Sequence, residues 1–345
     1  MSRCLDQERT IVQDIENRVR YHGYQRSADN HRLWTKGPLK VIICLVDDIR
    51  SASDDYETDM PYLFSRDTLV ITDNYVASPS VYSIMNLPRS FFGIYSHTKI
   101  NPWQPDRLFS FSVNRIDDRR FRLMLELAKR THLPEGYINF NCQDYSYDPR
   151  VPTTEELREC FSRRWPNLSP EDMTKYQSVY DMLEPLMPYK NYELDHEDMH
   201  YRSRCNMIVE SYGSDTTAAF SEKIFRALQV PAPWTLYGGH YAVAYLESLG
   251  FDCMGDIINH NHYDQLKEIE DKARIFIWFS LKWARESLAQ DVSQLEDRCR
   301  AAATHNQRML AAYRQAWPQD FEDWLVNLDR TLANRSEIRP KIDQI

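Results

Sequence analysis

The sequence predicts an α/β fold in which helices cover parallel β-sheets. Two observations carry this prediction. Continuous apolar runs of strand length, such as residues 39–48 and 68–74, are typical of strands buried on both faces of a parallel sheet. Segments with the 3.6-residue period of an amphipathic helix alternate with such runs, and this alternation is typical of α/β layers.

The elements of the first third are predicted as follows. Residues 5–20 carry apolar side chains at helical spacing, and a polar loop follows up to Pro38. The apolar run at 39–48 predicts a buried strand that ends in two acids, and 68–74 predicts a second one. The apolar stretch FFGIY at 91–95 is expected to form a third strand.

The rest of the chain continues the alternation and then becomes helical. Strands are predicted at 108–114, 137–141, 206–210 and 234–237, helices at 119–130, 222–229 and 241–249, and loops with short helices at 143–200. From about residue 265 the pattern is helical, and Trp278, Trp283, Trp317 and Trp324 are expected to pack in the core or between helices.

Composition and charge restrict the class of protein. With 345 residues, 42% hydrophobic and 12% aromatic, the chain can form two domains or one large domain with a sizeable core. The seven cysteines are odd in number and form no CxxC pair, which disfavours a disulfide framework or a zinc knuckle. The formal net charge of −9 disfavours broad nonspecific nucleic-acid binding, while arginine-rich stretches at 107–122 and 158–164 leave a local basic groove open.

The N-terminus predicts a protein that stays in the cytoplasm, or in the host cytoplasm if the protein is viral. It is charged and lacks the apolar core of a signal peptide. No run of about 18 apolar residues occurs, so we expect no membrane-spanning helix.

Several polar residues and two glycines lie where strands end or helices begin. They are Asn114, Arg115, Arg119, Arg122, Glu210, Ser221, Glu222, Lys223, Gly238 and Gly239. Ligands of open α/β sheets bind outside the carboxyl ends of the strands, and a helix N-terminus favours phosphate. A lysine and an arginine suit a diphosphate, and a glutamate can accept hydrogen bonds from ribose hydroxyls. This pattern predicts a nucleoside diphosphate site; ordinary helix capping and a solvated arginine face are the structural alternatives.

Two blocks of the sequence resemble known glycosyltransferases. FSVNRIDDRRFRLMLELAKR resembles the strand–Asn–Arg–helix block of exostosin-like and phage-type glycosyltransferases. IVESYGSDTTAAFSEKIFRALQVPAPWTLYGGHYAVAYLESLGF resembles their donor-site block, and the α-1,3-fucosyltransferase family has a similar Thr-Glu-Lys element. The resemblance covers roughly 108–142 and 205–265, under a third of the chain.

The resemblance implies the GT-B architecture, in which two Rossmann-like domains face each other across a cleft, with a helical C-terminal tail here. The implied parts are a helical extension at 1–37, an acceptor-side domain at 38–105, a nucleotide-sugar-binding domain at 106–265 and a helical region at 266–345. The Pro102/Pro105 turn marks the boundary near residue 105.

The resemblance also implies roles for the donor-site residues. Lys223 and an arginine would hold the diphosphate, and Glu210 and Glu222 would serve the nucleoside or sugar. Gly238 and Gly239 would let the backbone approach the nucleotide; a turn before a helix is the alternative. Residues 116–118 replace a Pro- or Arg-rich gap, so it stays open which of Arg115, Arg119 and Arg122 faces the ligand.

A transfer to a hydroxyl also needs a base. Asp47 and Asp48 follow a strand in the predicted acceptor-side domain and are the first candidates, with Glu57, Asp73 and His97 as rivals. Caps or turns are the structural alternative for each of these acids. A metal role for the adjacent aspartates is disfavoured, because neighbouring side chains of a strand point in opposite directions.

The expected function is transfer of a sugar from a nucleoside diphosphate sugar to a hydroxyl. Inversion follows from the fucosyltransferase resemblance. No metal or other cofactor is expected, because positive side chains and a helix terminus can stabilise the leaving diphosphate. His260 and His262, without a nearby third ligand, are more typical of loop histidines than of a metal site. The acceptor is a glycan or, as in phage-type proteins, a hydroxymethylated pyrimidine of DNA. The alternatives are a non-catalytic nucleotide-binding or helical scaffold protein, and a metal-dependent single-domain transferase. The sequence leaves the oligomeric state open.

Overall fold

The computed structural model describes most of the chain outside two long internal segments. The described residues are 2–28, 33–44, 68–72, 75–76, 83–95, 100–113, 120, 123–124, 126–127, 130–131, 133–140, 189–190, 198–210, 217–218, 220–266 and 269–337. Several predicted site residues lie outside these ranges and are named below.

Strands and helices alternate along the described chain. The strands are β1 (Gln25–Arg26), β2 (Leu33–Lys36), β3 (Leu39–Cys44), β4 (Thr68–Thr72), β5 (Tyr75–Val76), β6 (Ser83–Asn86), β7 (Arg107–Val113), β8 (Gly136–Phe140), β9 (Tyr189–Lys190), β10 (Ser203–Val209), β11 (Thr217–Ala218) and β12 (Trp234–Tyr237). The α-helices are α1 (Ser2–Tyr21), α2 (Asp198–Tyr201), α3 (Glu222–Ala227), α4 (Ala242–Ser248), α5 (Asn261–Asp264), α6 (Ile269–Glu286) and α7 (Val292–Glu337). Shorter 3-10 helices span Arg89–Tyr95, Leu133–Glu135 and Ser287–Ala289.

The first sheet has the strand order β1-β2-β3-β4-β6. The pairs β3–β4 and β4–β6 are parallel, as the apolar runs of these strands predict, whereas β1–β2 and β2–β3 are antiparallel. The prediction of a polar loop up to Pro38 is wrong in part, because strand β2 lies in this segment and pairs with β3. The four-residue strand LWTK is too short for a period-2 pattern to reveal it.

The second sheet has the strand order β12-β10-β7-β8-β9, with β7 in the middle. Its first four strands are mutually parallel, and β9 runs antiparallel to β8. The chain goes from β7 to β8 on one side and later returns to β10 and β12 on the other side. The direction of winding therefore reverses between β7 and β10. A separate antiparallel pair joins β5 to β11.

These sheets and their helices confirm the predicted α/β class. Residues Arg120, Leu123, Met124 and Leu127 are helical and buried, in agreement with the helix predicted at 119–130. Helix α6 packs on the second sheet, where the hydroxyls of Ser280 and Thr235 are 2.8 Å apart. No helix in the described ranges is both long and apolar enough to cross a membrane.

Helix α7 contacts structure that belongs to both halves of the chain. Asn306 Nδ2 donates to the carbonyl of Leu228, which follows α3, at 3.0 Å. Further along the helix, Trp324 Nε1 donates to the carbonyl of Asn86 at the end of β6, at 2.7 Å. The helical tail predicted after residue 265 therefore packs against the rest of the chain.

Two other expectations are wrong. Residues 91–95, predicted as a strand, lie in a 3-10 helix, and all five are buried. A short apolar run does not distinguish a strand from a buried helical turn. Trp278, expected in the core or between helices, is 45% exposed on α6, with the Lys282 ammonium 5.0 Å from its ring centroid.

Candidate functional site

The middle strand of the second sheet has one apolar and one polar face. In β7, Phe109 and Phe111 alternate with Ser110 and Ser112, and successive side chains of a strand point to opposite faces. Strand β10 continues the polar face at Asn206, which lies opposite Ser110 in the parallel register. A parallel sheet is usually apolar on both faces, so this polar face calls for an explanation.

A buried hydrogen-bond network organises that polar face. Ser110 Oγ donates to Asn206 Oδ1 at 2.6 Å, and His200 Nδ1 lies 3.1 Å from the same oxygen. Asn206 Nδ2 donates to the His200 carbonyl at 3.1 Å, which fixes α2 against β10. Because its buried polar groups are paired, the network holds these side chains in one arrangement.

Helix α3 begins beside the carboxyl end of β10. Ser221 is its N-cap, as predicted, and its Oγ accepts from the backbone N–H of Lys223 at 3.4 Å. The Lys223 ammonium donates to the carbonyl of Val209 at 3.2 Å. The helix buries Ile224 and Phe225, and the ring of Phe225 stacks on Tyr95. The opposite side of the helix carries its charged residues.

Glu210 lies behind the start of this helix. It is 3% exposed, and Ser221 donates to both of its oxygens, from the backbone N–H at 3.1 Å and from Oγ at 2.5 Å. Burial raises the pKa of Glu210, while the charge of Lys223 and the hydrogen bonds from Ser221 oppose the rise. In this arrangement the carboxylate fastens the helix to the strand. Its role toward ribose hydroxyls stays a prediction.

A cleft opens between α3 and the polar face of the sheet. Its empty volume, including open solvent at the mouth, is about 490 Å³. Its lining consists of Ser110, Ser112, Met199, His200, Met207, Ile208, Val209, Glu222, Lys223 and Arg226. The cleft thus combines two cationic side chains, one carboxylate, two hydroxyls and an imidazole, which suits an anionic ligand that also carries hydroxyl groups.

The predicted donor-site residues fall into three groups. Glu222 and Lys223 line the cleft, and Ser221 and Glu210 lie directly behind them. Gly238 and Gly239 follow β12, where a Cβ on Gly238 would lie 3.1 Å from the Ala242 Cβ, so the glycine lets α4 pack closely on the strand end. The remaining predicted residues lie outside the described residues: Asp47, Asp48, Asn114, Arg115, Arg119 and Arg122, together with the rival bases Glu57, Asp73 and His97.

Sequence analysis missed several residues of the cleft. Arg226 lies one helical turn after Glu222 and Lys223, so the i, i+3 and i, i+4 spacing could have placed it on the same face of α3. Alternation of Phe and Ser in β7 could have indicated a polar sheet face at Ser110 and Ser112. His200 follows from no local pattern, because its place depends on the pairing with Asn206.

The two histidines considered for a metal differ in their surroundings. His260 is buried, with Nε2 2.8 Å from the Cys253 carbonyl and Nδ1 2.5 Å from the Tyr263 hydroxyl. Both ring nitrogens therefore have protein partners. His262 is exposed and packs its ring near Phe279. Within the described part of the chain, no three His, Cys, Asp or Glu residues cluster in a way that could hold a metal ion.

No family model, curated protein or solved structure matches the chain. The resemblance of two sequence blocks to glycosyltransferases therefore stays a prediction. A function has to be inferred from the residues of the cleft and from its position in the sheet.

Proposed function

We propose that the cleft binds a nucleoside diphosphate sugar and that the protein transfers this sugar to a hydroxyl acceptor. The observation that carries the proposal is the position of the cleft. It is lined by β7 and β10, the two strands between which the winding of the second sheet reverses. In open α/β sheets, ligands bind at the carboxyl ends of the strands at this reversal point.

The charges of the cleft support a diphosphate. Lys223 and Arg226 lie one turn apart on α3 and both line the cleft. An arginine offers a two-pronged donor and a lysine a compact point charge, and together they suit neighbouring phosphate groups. The helix has only six residues and its Lys223 N–H already donates to the Ser221 hydroxyl, so we assign phosphate binding to the side chains rather than to the helix terminus.

The polar sheet face supports a hydroxylated ligand. Ser110, Ser112 and His200 line the cleft with groups that can exchange hydrogen bonds with ribose or sugar hydroxyls. The negative charge of Glu222 at the same cleft gives a further acceptor for such hydroxyls. The apolar lining residues Met199, Met207, Ile208 and Val209 can contact the carbon atoms of the same ligand.

The proposed reaction is a displacement at the anomeric carbon. The acceptor oxygen forms the new bond as the bond to the diphosphate breaks, and the electron pair leaves with the diphosphate. Lys223 and Arg226 would stabilise this leaving group, so the reaction as proposed does not depend on a metal. The acceptor proton passes to a carboxylate, for which Asp47 and Asp48 remain the predicted candidates. We propose inversion and a glycan acceptor, which the net charge of −9 favours over DNA.

The proposal is tested by a binding panel of nucleoside diphosphates and their sugars, measured by thermal shift and calorimetry. One member should raise the melting temperature of the wild type, since a ligand at about 100 times its Kd stabilises by about 2.7 kcal/mol. Lys223→Ala and Arg226→Ala should each weaken that binding about 10-fold or more, because each removes a charged hydrogen-bond donor. Release of the nucleoside diphosphate from its sugar by the wild type then tests transfer.

Exposed cations elsewhere on the chain provide the controls. Lys282→Ala and Arg274→Ala remove side chains from the outer face of α6 and should leave the Kd unchanged. Absence of binding by every nucleotide to folded wild-type protein would refute the donor site. Binding without any sugar release, with glycans and with hydroxymethylated DNA as acceptors, would favour the non-catalytic nucleotide-binding protein.

A further inference from the structure

Tyr241 is an exposed aromatic residue in a backbone conformation that rarely suits it. It follows the Gly238-Gly239 turn at the end of β12, and its φ and ψ are 56° and 29°, in the left-handed region. A bulky residue with positive φ is an outlier, whereas Gly or Asn adopts this region readily. The residue is nevertheless 49% exposed, so core packing does not account for the choice of tyrosine.

Buried groups hold the turn in this conformation. The N–H of Tyr241 donates to the Asp264 carbonyl at 3.0 Å, and the Lys272 ammonium donates to the Gly239 carbonyl at 2.9 Å. The Asp264 carboxylate accepts from two N–H groups in the first turn of α4. Asp264 and Lys272 are 1% and 4% exposed, so the surrounding structure fixes a conformation that the tyrosine alone would not prefer.

A second ring extends the surface that Tyr241 presents. The rings of His240 and Tyr241 have centroids 4.0 Å apart and planes inclined by 43°. His240 Nε2 lies 2.9 Å from the Gln265 carbonyl, which fixes the imidazole next to the phenol. The half-buried His240 and the exposed Tyr241 thus form one aromatic surface, which we call the 240–241 platform.

The platform lies at the same edge of the second sheet as the cleft. The N–H of Glu210, at the end of β10, donates to the Tyr237 carbonyl at the end of β12 at 3.0 Å. One helical turn after Tyr241, the ring of Tyr245 stacks on Phe220 with centroids 5.8 Å apart. Phe220 directly precedes Ser221, the N-cap of α3, so α4 packs against the residue that leads into α3.

We propose that the 240–241 platform stacks on the base of the nucleotide whose diphosphate is held by Lys223 and Arg226. This inference rests on the proposed function and names the part of the ligand that the cleft itself does not account for. Base stacking on an aromatic side chain tolerates any base, because every base has a π face. The strained turn then has a purpose, which is to hold an aromatic ring exposed at the carboxyl ends of the strands.

The variant Tyr241→Asn provides the sharpest test, because asparagine tolerates the left-handed region and removes the ring. We expect an equal or higher melting temperature and a loss of about 5-fold to 100-fold in affinity for the nucleoside diphosphate that wild type binds, the range expected for one stacked base. Affinity for inorganic pyrophosphate should not change. Tyr241→Phe keeps the ring and should keep the affinity. Tyr21→Asn, which removes a more exposed tyrosine at the end of α1, is the control.

A second measurement separates this inference from the proposed function. Saturation-transfer NMR with uridine and guanosine, which carry no phosphate, should detect contact with wild type and with Lys223→Ala but not with Tyr241→Asn. Nucleoside diphosphate binding that depends on Lys223 but is unchanged in Tyr241→Asn would overturn the platform and leave the diphosphate site intact. Nucleoside contact that depends on Tyr241, with neither diphosphate nor pyrophosphate bound, would refute the diphosphate site and retain the platform.

Discussion

Ser221 donates two hydrogen bonds to the buried carboxylate of Glu210, one from its backbone N–H and one from its hydroxyl. The pair joins the end of β10 to the first turn of α3 across eleven positions of sequence. Lys223 adds a second link through the Val209 carbonyl. The buried carboxylate of Glu210 therefore holds the start of α3, with its cationic side chains, beside the end of β10.

The variant Glu210→Gln should change the pH dependence of stability. Burial raises the pKa of Glu210 in the folded state, so the native protein holds this proton to higher pH than the unfolded chain. The stabilisation that the protonated Glu210 provides is complete below the unfolded pKa of 4.5. It is lost as the pH rises through the pKa of Glu210 in the folded state. The glutamine keeps an acceptor for the Ser221 N–H and has no such loss.

Urea unfolding of both proteins from pH 4.5 to pH 8 measures this effect. The free energy of unfolding of the wild type should fall relative to that of Glu210→Gln as the pH rises. A difference that changes in the opposite direction would mean that the ionised carboxylate is favoured, with Lys223 and Ser221 outweighing burial.

The network on the polar sheet face should be costly to break. Asn206→Leu leaves the buried Ser110 hydroxyl and the His200 ring without their shared acceptor. We expect a loss of about 3 kcal/mol in the free energy of unfolding, because buried polar groups that lose a partner cost about 1–3 kcal/mol each. Chemical denaturation measures the loss, and the exposed Asn259→Leu is the matched control. An equal effect of both changes would contradict the network.

The sequence predicted the buried strands and the central helices of the fold well. Most apolar residues of strands β3, β4, β7, β10 and β12 are buried, and their hydrophobic runs are local signals. The 3-10 helix at 89–95 was missed because Phe91, Phe92 and Tyr95 pack equally well in a strand or a helix. Trp278 was misplaced because residue type alone does not state which face of α6 meets the sheet.

The candidate site was predictable where its signals are local. The Ser221 cap and the charges of Glu222 and Lys223 follow from a few neighbouring residues. The contribution of Ser110 depends on the strand order, which places β10 beside β7. Ser110 and its partner Asn206 on these two strands are 96 positions apart in sequence. Local periodicity contains no information on that pairing, so the cleft emerges only from the fold.

His260 should make the protein sensitive to mild acid. Burial lowers the pKa of His260 to about 4, so the native ring stays neutral while the unfolded chain takes up a proton below its ordinary pKa of 6.5. The stabilisation from the neutral ring is complete above pH 6.5. It is lost as the pH falls from 6.5 toward 4, by up to about 3 kcal/mol. Urea unfolding should show this loss for wild type and not for His260→Gln; parallel curves would contradict it.

Gly93 should tolerate no side chain, because it lies where the 3-10 helix at 89–95 meets α7. A Cβ at this position would overlap the backbone of Arg314, and a backbone cannot rotate away as a side chain can. Gly93→Ala should therefore lower the free energy of unfolding by about 3 kcal/mol or more, at the upper end of overpacking effects. Gly255→Ala is the matched control, since its Cβ would meet only the Glu247 carboxylate, at 3.3 Å. If thermal and urea unfolding show the two variants to be equally stable, α7 does not pack on the 89–95 segment as described.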